Sequence, residues 1–104
     1  NEISPLENKI AVQNASSHPQ VATKFAQYLR NKGFDNVYVV PDWSDKQHLT
    51  QVIVQGGYLD SAEVVQKTLG FGNIEPTSTG EISSDLTIRL GEDSINKINL
   101  LQKR

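Results

Sequence analysis

Two stretches with one shared pattern decide how this chain folds: NKGFDNV at 31–37 and TLGFGNI at 68–74. Each reads Gly, Phe, a variable residue, Asn and a β-branched residue, and each follows apolar residues at helical spacing. A glycine just past a helix can adopt the left-handed conformation that ends it, and the next apolar residue folds back onto the last turn. The repeat therefore predicts two equivalent helix ends rather than a binding site used twice.

The segment before the first copy predicts a strand followed by a helix. Ile10 and Val12 alternate with less apolar neighbours in KIAVQN, which is the period of a half-buried strand. Ser17 and Gln20 have the spacing of a helix capping pair, so we expect the helix to begin at Ser17 and to end before Gly33. Its apolar residues form one stripe that faces a core: Val21, Ala22, Phe25, Ala26 and Leu29.

The rest of the chain repeats this plan. Strands are predicted at NVYVV, TQVIVQ and LTIRL and a second helix before LGFGNI, while 72–85 reads as a loop with a short extended piece at 73–76. The order β-α-β-β-α-β predicts an α+β, ferredoxin-like two-layer sandwich, in which an antiparallel four-stranded sheet carries two helices on one face. A three-layer doubly wound sheet fits less well, because short alternating strands leave one sheet face polar.

The domain organisation follows from the same pattern. Residues 1–8 read as a linker from an upstream region and residues 9–93 as a single α/β domain. Residues 94–104 read as a C-terminal tail, either a short amphipathic helix or a frayed end.

Composition excludes several classes of function. The 104 residues include 10 basic and 12 acidic side chains, a net charge of −2, so no long-range field attracts a phosphate backbone and we expect no nucleic-acid partner. The absence of cysteine removes disulfides and thiolate metal sites. No apolar run approaches the roughly 20 residues of a membrane span, so membrane attachment is expected only through an anchor upstream of this sequence. We predict no cofactor.

The stretch NASSHP offers polar groups between a strand and a helix: Asn14, Ser16, Ser17 and His18. A hydrolase that uses Ser16 or Ser17 with His18 is one hypothesis, but neighbouring serine and histidine need an orienting acid and an oxyanion hole. No G-x-S-x-G elbow is present, so we predict no catalytic residue. Helix capping and ligand binding are the simpler interpretations.

The connector DWSDKQH places Asp42, Asp45 and His48 three apart, a spacing that could gather metal ligands on a helical turn. Pro41 and Trp43 favour a turn without that geometry, and we predict no metal site. Trp43 and Tyr58 lie in connections, where an exposed ring can stack on a sugar or anchor a partner protein. The alternative is that both rings cover the edge of a small core.

A family resemblance rests on two segments. IAVQNASSHPQVATKFAQYLRNKGF resembles the opening of the LytR C-terminal domain, the module that follows the catalytic domain in many LytR/CpsA/Psr envelope proteins. SDLTIRLGED resembles that module's closing strand and its Leu-Gly-x-Asp ending, and the likeness covers about residues 9–93. Ala15 stands where the family usually has glycine, and HPQVA replaces its usual helix entry, so the role of a glycine-rich loop is not carried over. The matching positions are Asn14, Ser16, Gly33, Phe34, Leu90, Gly91 and Asp93.

The resemblance implies an extracytoplasmic domain of a membrane-anchored protein that attaches polymers to the cell wall, with the transferase chemistry in the upstream domain. The element order is also similar to that of peptidoglycan-binding sporulation-related repeats. We therefore expect a non-catalytic module that binds wall glycan or an envelope protein. The alternative is a structural domain that dimerises or braces the transferase domain.

Two surfaces are candidates for the binding site. One is the loop at 14–19, and the other is a sheet face predicted to be open, with Lys9, Ala11, Gln13, Thr87 and Arg89. The predicted ligand-binding residues are Asn14, Ser16, Ser17, His18, Trp43, Tyr58 and Arg89.

Overall fold

In a computed structural model, which describes residues 5–56 and 59–102, the chain forms a mixed five-stranded sheet and three α-helices. A 3-10 turn at Pro5–Glu7 precedes the first strand. The strands are β1 Ile10–Asn14, β2 Val37–Val40, β3 Gln51–Val54, β4 Asn73–Glu75 and β5 Leu86–Leu90. The helices are α1 Val21–Asn31, α2 Leu59–Leu69 and α3 Asp93–Gln102.

The sheet is built from two parallel βαβ units with a fifth strand between them. Its order is β2-β1-β5-β3-β4, with β1 parallel to both β2 and β5, β3 parallel to β4, and β3 antiparallel to β5. The α+β class is confirmed, whereas the antiparallel four-stranded ferredoxin-like layout is wrong. No hairpin joins β2 to β3, because residues 41–50 cross the end of the sheet to the far side of β5.

The additional strand β4 forms where a short extended piece at 73–76 was expected. Gly70 and Gly72 both have positive φ, and they turn the chain directly from α2 onto the edge of β3. The Asn73 N–H then donates to the Thr50 carbonyl at 3.0 Å and begins the ladder. A three-residue strand is too short to show a period in sequence. The sequence pattern therefore predicts only a short extended piece within a loop.

The repeated Gly-Phe pattern ends helices as predicted. Gly33 has φ 103, its N–H donates to the Arg30 carbonyl, and the Phe34 N–H donates to the Leu29 carbonyl, which together make a Schellman motif. Gly70 has φ 83 immediately after α2. The second phenylalanine, Phe71, packs its ring 5.5 Å from that of Phe25 and so joins the two helical units.

The predicted start of the first helix at Ser17 is wrong. The helix begins at Val21, and its N-cap Gln20 makes no side-chain capping bond. The Ser17 hydroxyl instead donates to Glu92 Oε1 at 2.8 Å. The capping pair was thus a spacing match within a loop whose polar groups have other partners.

The hydrophobic core lies between the sheet and the three helices. One face of the sheet contributes Ile10, Val12, Val37, Val52, Leu86, Ile88 and Leu90, and helices α1 and α2 cover it. Of the two alternatives for the tail, the structure shows the helix: α3 runs to Gln102, and Ile98 is 1% exposed within the core.

The opposite sheet face is not open. Residues 76–85, here termed the strap, cross it, and Thr87 beneath them is fully buried. The Glu81 N–H donates to Thr87 Oγ1, and a Cβ at Gly80 would overlap the Thr87 side chain. Backbone groups of Thr79 and Glu81 and the Ser84 hydroxyl pair with the polar side chains of Arg89 and Thr87. This pairing covers the sheet face that the strand pattern alone predicts as solvent-facing.

Candidate functional site

The structure brings six of the seven predicted binding residues to one end of the sheet. Because β1, β2 and β5 are parallel, their carboxyl ends meet at one edge, the edge at which ligands commonly bind in open α/β sheets. The residues gathered there are Asn14, Ser16, Ser17, His18, Trp43 and Arg89. The seventh, Tyr58, lies outside the described residues.

Backbone hydrogen bonds hold the connector across this edge. The Trp43 N–H donates to the Asn14 carbonyl at 2.9 Å, and the Gln47 N–H donates to the Ala15 carbonyl at 2.8 Å. The Glu92 N–H in turn donates to the Gln47 carbonyl at 2.8 Å. The segment 41–50 is therefore hydrogen-bonded to the ends of both β1 and β5. These bonds fix the backbone position of Trp43.

Asn14 and Ser16 are structural. Both are almost fully buried, and Asn14 Oδ1 accepts from the Ser16 N–H at 2.9 Å and from the Ser16 hydroxyl at 2.7 Å. Asn14 Nδ2 donates to the His18 carbonyl at 2.8 Å, so the amide of the Asn-Ala-Ser sequon is used inside the loop. These contacts shape the turn between β1 and α1 and leave little polar surface for a ligand.

Ser17 and His18 are more exposed, but they do not form a catalytic pair. The Ser17 hydroxyl donates to Glu92, and His18 Nδ1 accepts from the Gln20 N–H at 3.2 Å. With Nδ1 accepting, the neutral ring carries its proton on Nε2. Neither Ser16 nor Ser17 reaches the imidazole, so this arrangement offers no activated nucleophile.

The strongest feature of this edge is a tryptophan stacked on a buried arginine. The Arg89 Cζ atom lies 3.8 Å from the centroid of the Trp43 ring, while Trp43 remains 37% exposed and Arg89 only 4%. One face of the indole is thus in contact with the guanidinium, while part of the residue meets solvent. An aromatic ring held in this way can act as a stacking platform.

Neutral oxygen atoms hold the guanidinium in place. Arg89 Nε donates to Gln13 Oε1 at 2.8 Å, and Nη2 donates to the Thr79 carbonyl of the strap at 2.9 Å. Gln13 Nε2 donates onward to the Pro41 carbonyl at 3.1 Å, next to the tryptophan's own turn. Burial lowers the pKa of the Arg89 guanidinium. Gln13, Arg89 and Trp43 therefore form one clamp.

The sequence correctly predicts that Gln13 and Arg89 lie on the same face of the sheet. It also predicts that this face is exposed to solvent, whereas Arg89 is buried. The clamp partner Thr79 was missed because strap positions carry no strand or helix period. The abundance of Ser and Thr in 76–85 was the available signal. Burial also raises the pKa of Tyr38 on β2, and the carboxylates of Glu81 and Asp85 in the strap add to that shift.

The described part of the chain offers no evident metal site and no membrane span. Among residues 5–56 and 59–102, no group of three or more His, Cys, Asp or Glu side chains could hold a metal ion. No helix in those ranges is long and apolar enough to cross a bilayer.

The model of one protein family matches most of this chain. The model of the family described as LytR cell envelope-related transcriptional attenuator matches residues 7–93. Comparison with curated protein sequences returns no match.

Solved structures share the fold at low identity. The fold is similar to that of the soluble domain of a conserved hypothetical secreted protein from Mycobacterium marinum, with a TM-score of 0.70, 18% identity, and coverage of 88% of this chain and 64% of that one. It is also similar to the C-terminal domain of RV0431, with a TM-score of 0.56, 19% identity, and coverage of 88% and 76%. The present chain thus spans less than two thirds of the first of these structures.

Proposed function

The chain belongs to the LytR C-terminal domain family, whose model matches residues 7–93, and on that premise we propose that it is a non-catalytic accessory module that binds cell-wall glycan. The family is associated with the cell envelope, and the proposed setting is extracytoplasmic, as one domain of a membrane-anchored protein. The proposed contact is the exposed side of Trp43.

One observation carries the proposal: the Trp43 ring centroid lies 3.8 Å from the Cζ atom of a buried guanidinium while the residue as a whole stays 37% exposed. A tryptophan that served only to cover the core would bury its ring. Because the contact with Arg89 already restricts the Trp43 ring, less side-chain conformational entropy is lost when a ligand stacks on it. Hexose rings present apolar C–H faces that suit such a surface.

Retention on purified, insoluble peptidoglycan tests the proposal. The wild-type chain should sediment with the polymer, and Trp43→Ala should stay in the supernatant. Trp43→Tyr, which keeps a smaller aromatic ring, should fall between them. Leu59→Ala is the matched control, because Leu59 is an exposed apolar residue (53% exposed) on α2, whose first turn bonds Asn8 at the opposite end of β1.

Equal retention of the wild type and Trp43→Ala, or no retention of either, would contradict the proposal. Circular dichroism of each variant shows whether loss of binding accompanies loss of fold. If glycan fails but an envelope protein is captured in a Trp43-dependent way, the platform serves a protein partner instead.

A second candidate function is a structural one, in which the domain forms a homodimer or braces an upstream transferase domain. The observation that favours it is Val39, an apolar residue 44% exposed on the edge strand β2. The same edge is partly blocked, because Arg30 donates to the Val37 carbonyl and Pro41 follows the strand. Sedimentation over a range of concentrations separates the two: a strict monomer that leaves the melting of a transferase domain unchanged contradicts bracing.

A further inference from the structure

We infer that the Trp43 platform selects uncharged sugar rings and discriminates against polyanions such as phosphate- or uronate-bearing polymers. This inference rests on the proposed glycan binding and narrows its ligand class. It comes from how the charges around the ring are distributed between the interior and the surface.

The cation at the site is turned inward. Arg89 is 4% exposed, and two of its nitrogen atoms already donate to Gln13 Oε1 and the Thr79 carbonyl. Its third contact is the Trp43 ring face. Within residues 5–56 and 59–102 no carboxylate pairs with it, so its charge is balanced by oxygen dipoles and the indole ring. Arg89 is therefore a positioning residue for Trp43, and it is too deeply buried to neutralise a polymer.

The exposed charges that flank the ring are mainly negative. Asp42 directly precedes Trp43 and Asp45 follows two residues later, and both side chains are exposed. Glu92, tied to the same connector through Gln47, adds a third carboxylate, while Lys46 is the one cation within residues 41–50. These three carboxylates are here termed the rim. A polymer with a negative charge on every unit would come close to the rim, and like charges repel at short range.

An uncharged glycan avoids that repulsion and gains the stacking contact. Stacking on an aromatic ring is a short-range interaction that depends little on ionic strength, whereas repulsion between exposed charges is screened by salt. The two ligand classes should therefore differ in salt dependence as well as in affinity.

The fluorescence of Trp43 provides the measurement, because it is the only tryptophan in the chain. Titration with a neutral N-acetylglucosamine oligomer should change the emission with the same dissociation constant at low and physiological salt. A galacturonate oligomer of equal length should bind about tenfold more weakly at low salt, an effect equivalent to one or two repulsive contacts.

Charge variants test the cause. The double variant Asp42→Asn/Asp45→Asn should bring galacturonate binding close to that of the neutral oligomer and leave neutral binding unchanged. Asp35→Asn/Asp60→Asn is the matched control: it removes two exposed carboxylates from the opposite end of the sheet and should change neither affinity.

The failures are distinguishable. Tighter binding of the galacturonate oligomer, weakened steeply by salt, overturns the selectivity while leaving glycan binding in place. If neither oligomer alters the emission and peptidoglycan retention is also absent, the proposed function and this inference fail together. If both double variants behave alike, the rim carboxylates are not the cause and the inference is wrong.

Discussion

At the scale of single residues, the positions that carry the family resemblance are those that hold the backbone together. Asn14 and Ser16 close the turn after β1, and Asp93 accepts from the Thr50 N–H and from the Thr50 hydroxyl at 2.6 Å. Gly91 lies so close to residue 49 that a side chain could not fit. The resemblance therefore reports the fold, and the proposed binding specificity depends on exposed positions such as Trp43.

Gly91→Ala tests this architectural role. An added Cβ would lie 2.7 to 2.8 Å from backbone atoms of Leu49, and backbone cannot move aside as a flexible side chain can. We expect a loss of about 1 to 3 kcal/mol in the free energy of unfolding, measured by urea denaturation. Gly56→Ala is the control, because its Cβ would meet only the Ser84 carbonyl at 3.8 Å. A stability equal to that of Gly56→Ala would show that the close approach is absent.

Arg89→Lys tests the clamp. A lysine keeps the charge but lacks the planar group that stacks on the indole and bridges two acceptors. We expect a red-shifted Trp43 emission, faster quenching by acrylamide, weaker glycan retention and a loss of about 1 kcal/mol in stability. Arg30→Lys, at a guanidinium that bonds the Val37 carbonyl, should leave the emission unchanged. Unchanged emission in Arg89→Lys would remove Arg89 from the site.

At the scale of elements, the strap is one of the features in which the structure differs from its sequence-based prediction. The alternation of LTIRL predicted β5 and its two faces, and the structure confirms the strand. Periodicity reports how a strand faces its neighbours, but not whether an irregular segment covers the polar side. Periodicity also fails to predict β4, because this strand has only three residues. The turn at Gly70 and Gly72 places it beside β3.

Thr87→Val tests how the strap is held. Thr87 Oγ1 accepts the Glu81 N–H at 2.9 Å and lies 2.7 Å from the Ser84 hydroxyl, so an isosteric valine removes the acceptor of the Glu81 N–H and leaves the Ser84 hydroxyl only its bond to the Glu81 carbonyl. We expect a loss of about 1 to 3 kcal/mol in stability and faster amide hydrogen exchange within 76–85. Ser83→Ala, at an exposed neighbouring residue, should match the wild type. Unchanged exchange in Thr87→Val would mean that other contacts hold the strap.

Helix α3 packs into the same hydrophobic core as the sheet and the other two helices. Ile98 is 1% exposed and lies in the cluster that includes α1 and β5. Ile98→Ala should cost about 2 to 5 kcal/mol in the free energy of unfolding by guanidinium denaturation, and exposed Asn96→Ala should cost less than about 1 kcal/mol. Equal stability of the two variants would show that α3 does not pack on the core.

At the scale of the whole molecule, the two βαβ halves are similar, and the candidate site lies where they differ. The halves share helix ends at Gly33 and Gly70, and those ends were predictable because glycine and its neighbours act locally. The candidate site forms because the connector 41–50 crosses the ends of β1 and β5. This path of the connector follows from the strand order. Strand order is set by contacts between distant residues, so Trp43, Arg89 and Gln13 could be proposed singly but not assembled from sequence.

The most direct test of the account is a two-dimensional amide NMR titration of the intact chain with a soluble, uncharged N-acetylglucosamine oligomer. We predict that the Trp43 indole N–H, the amides of residues 42–48 and those of 15–18 shift together with one dissociation constant, while amides of α2 and β4 stay in place. An absence of shifts, or shifts centred on α2 or β4 with the Trp43 indole unmoved, would contradict the assignment of glycan binding to this edge.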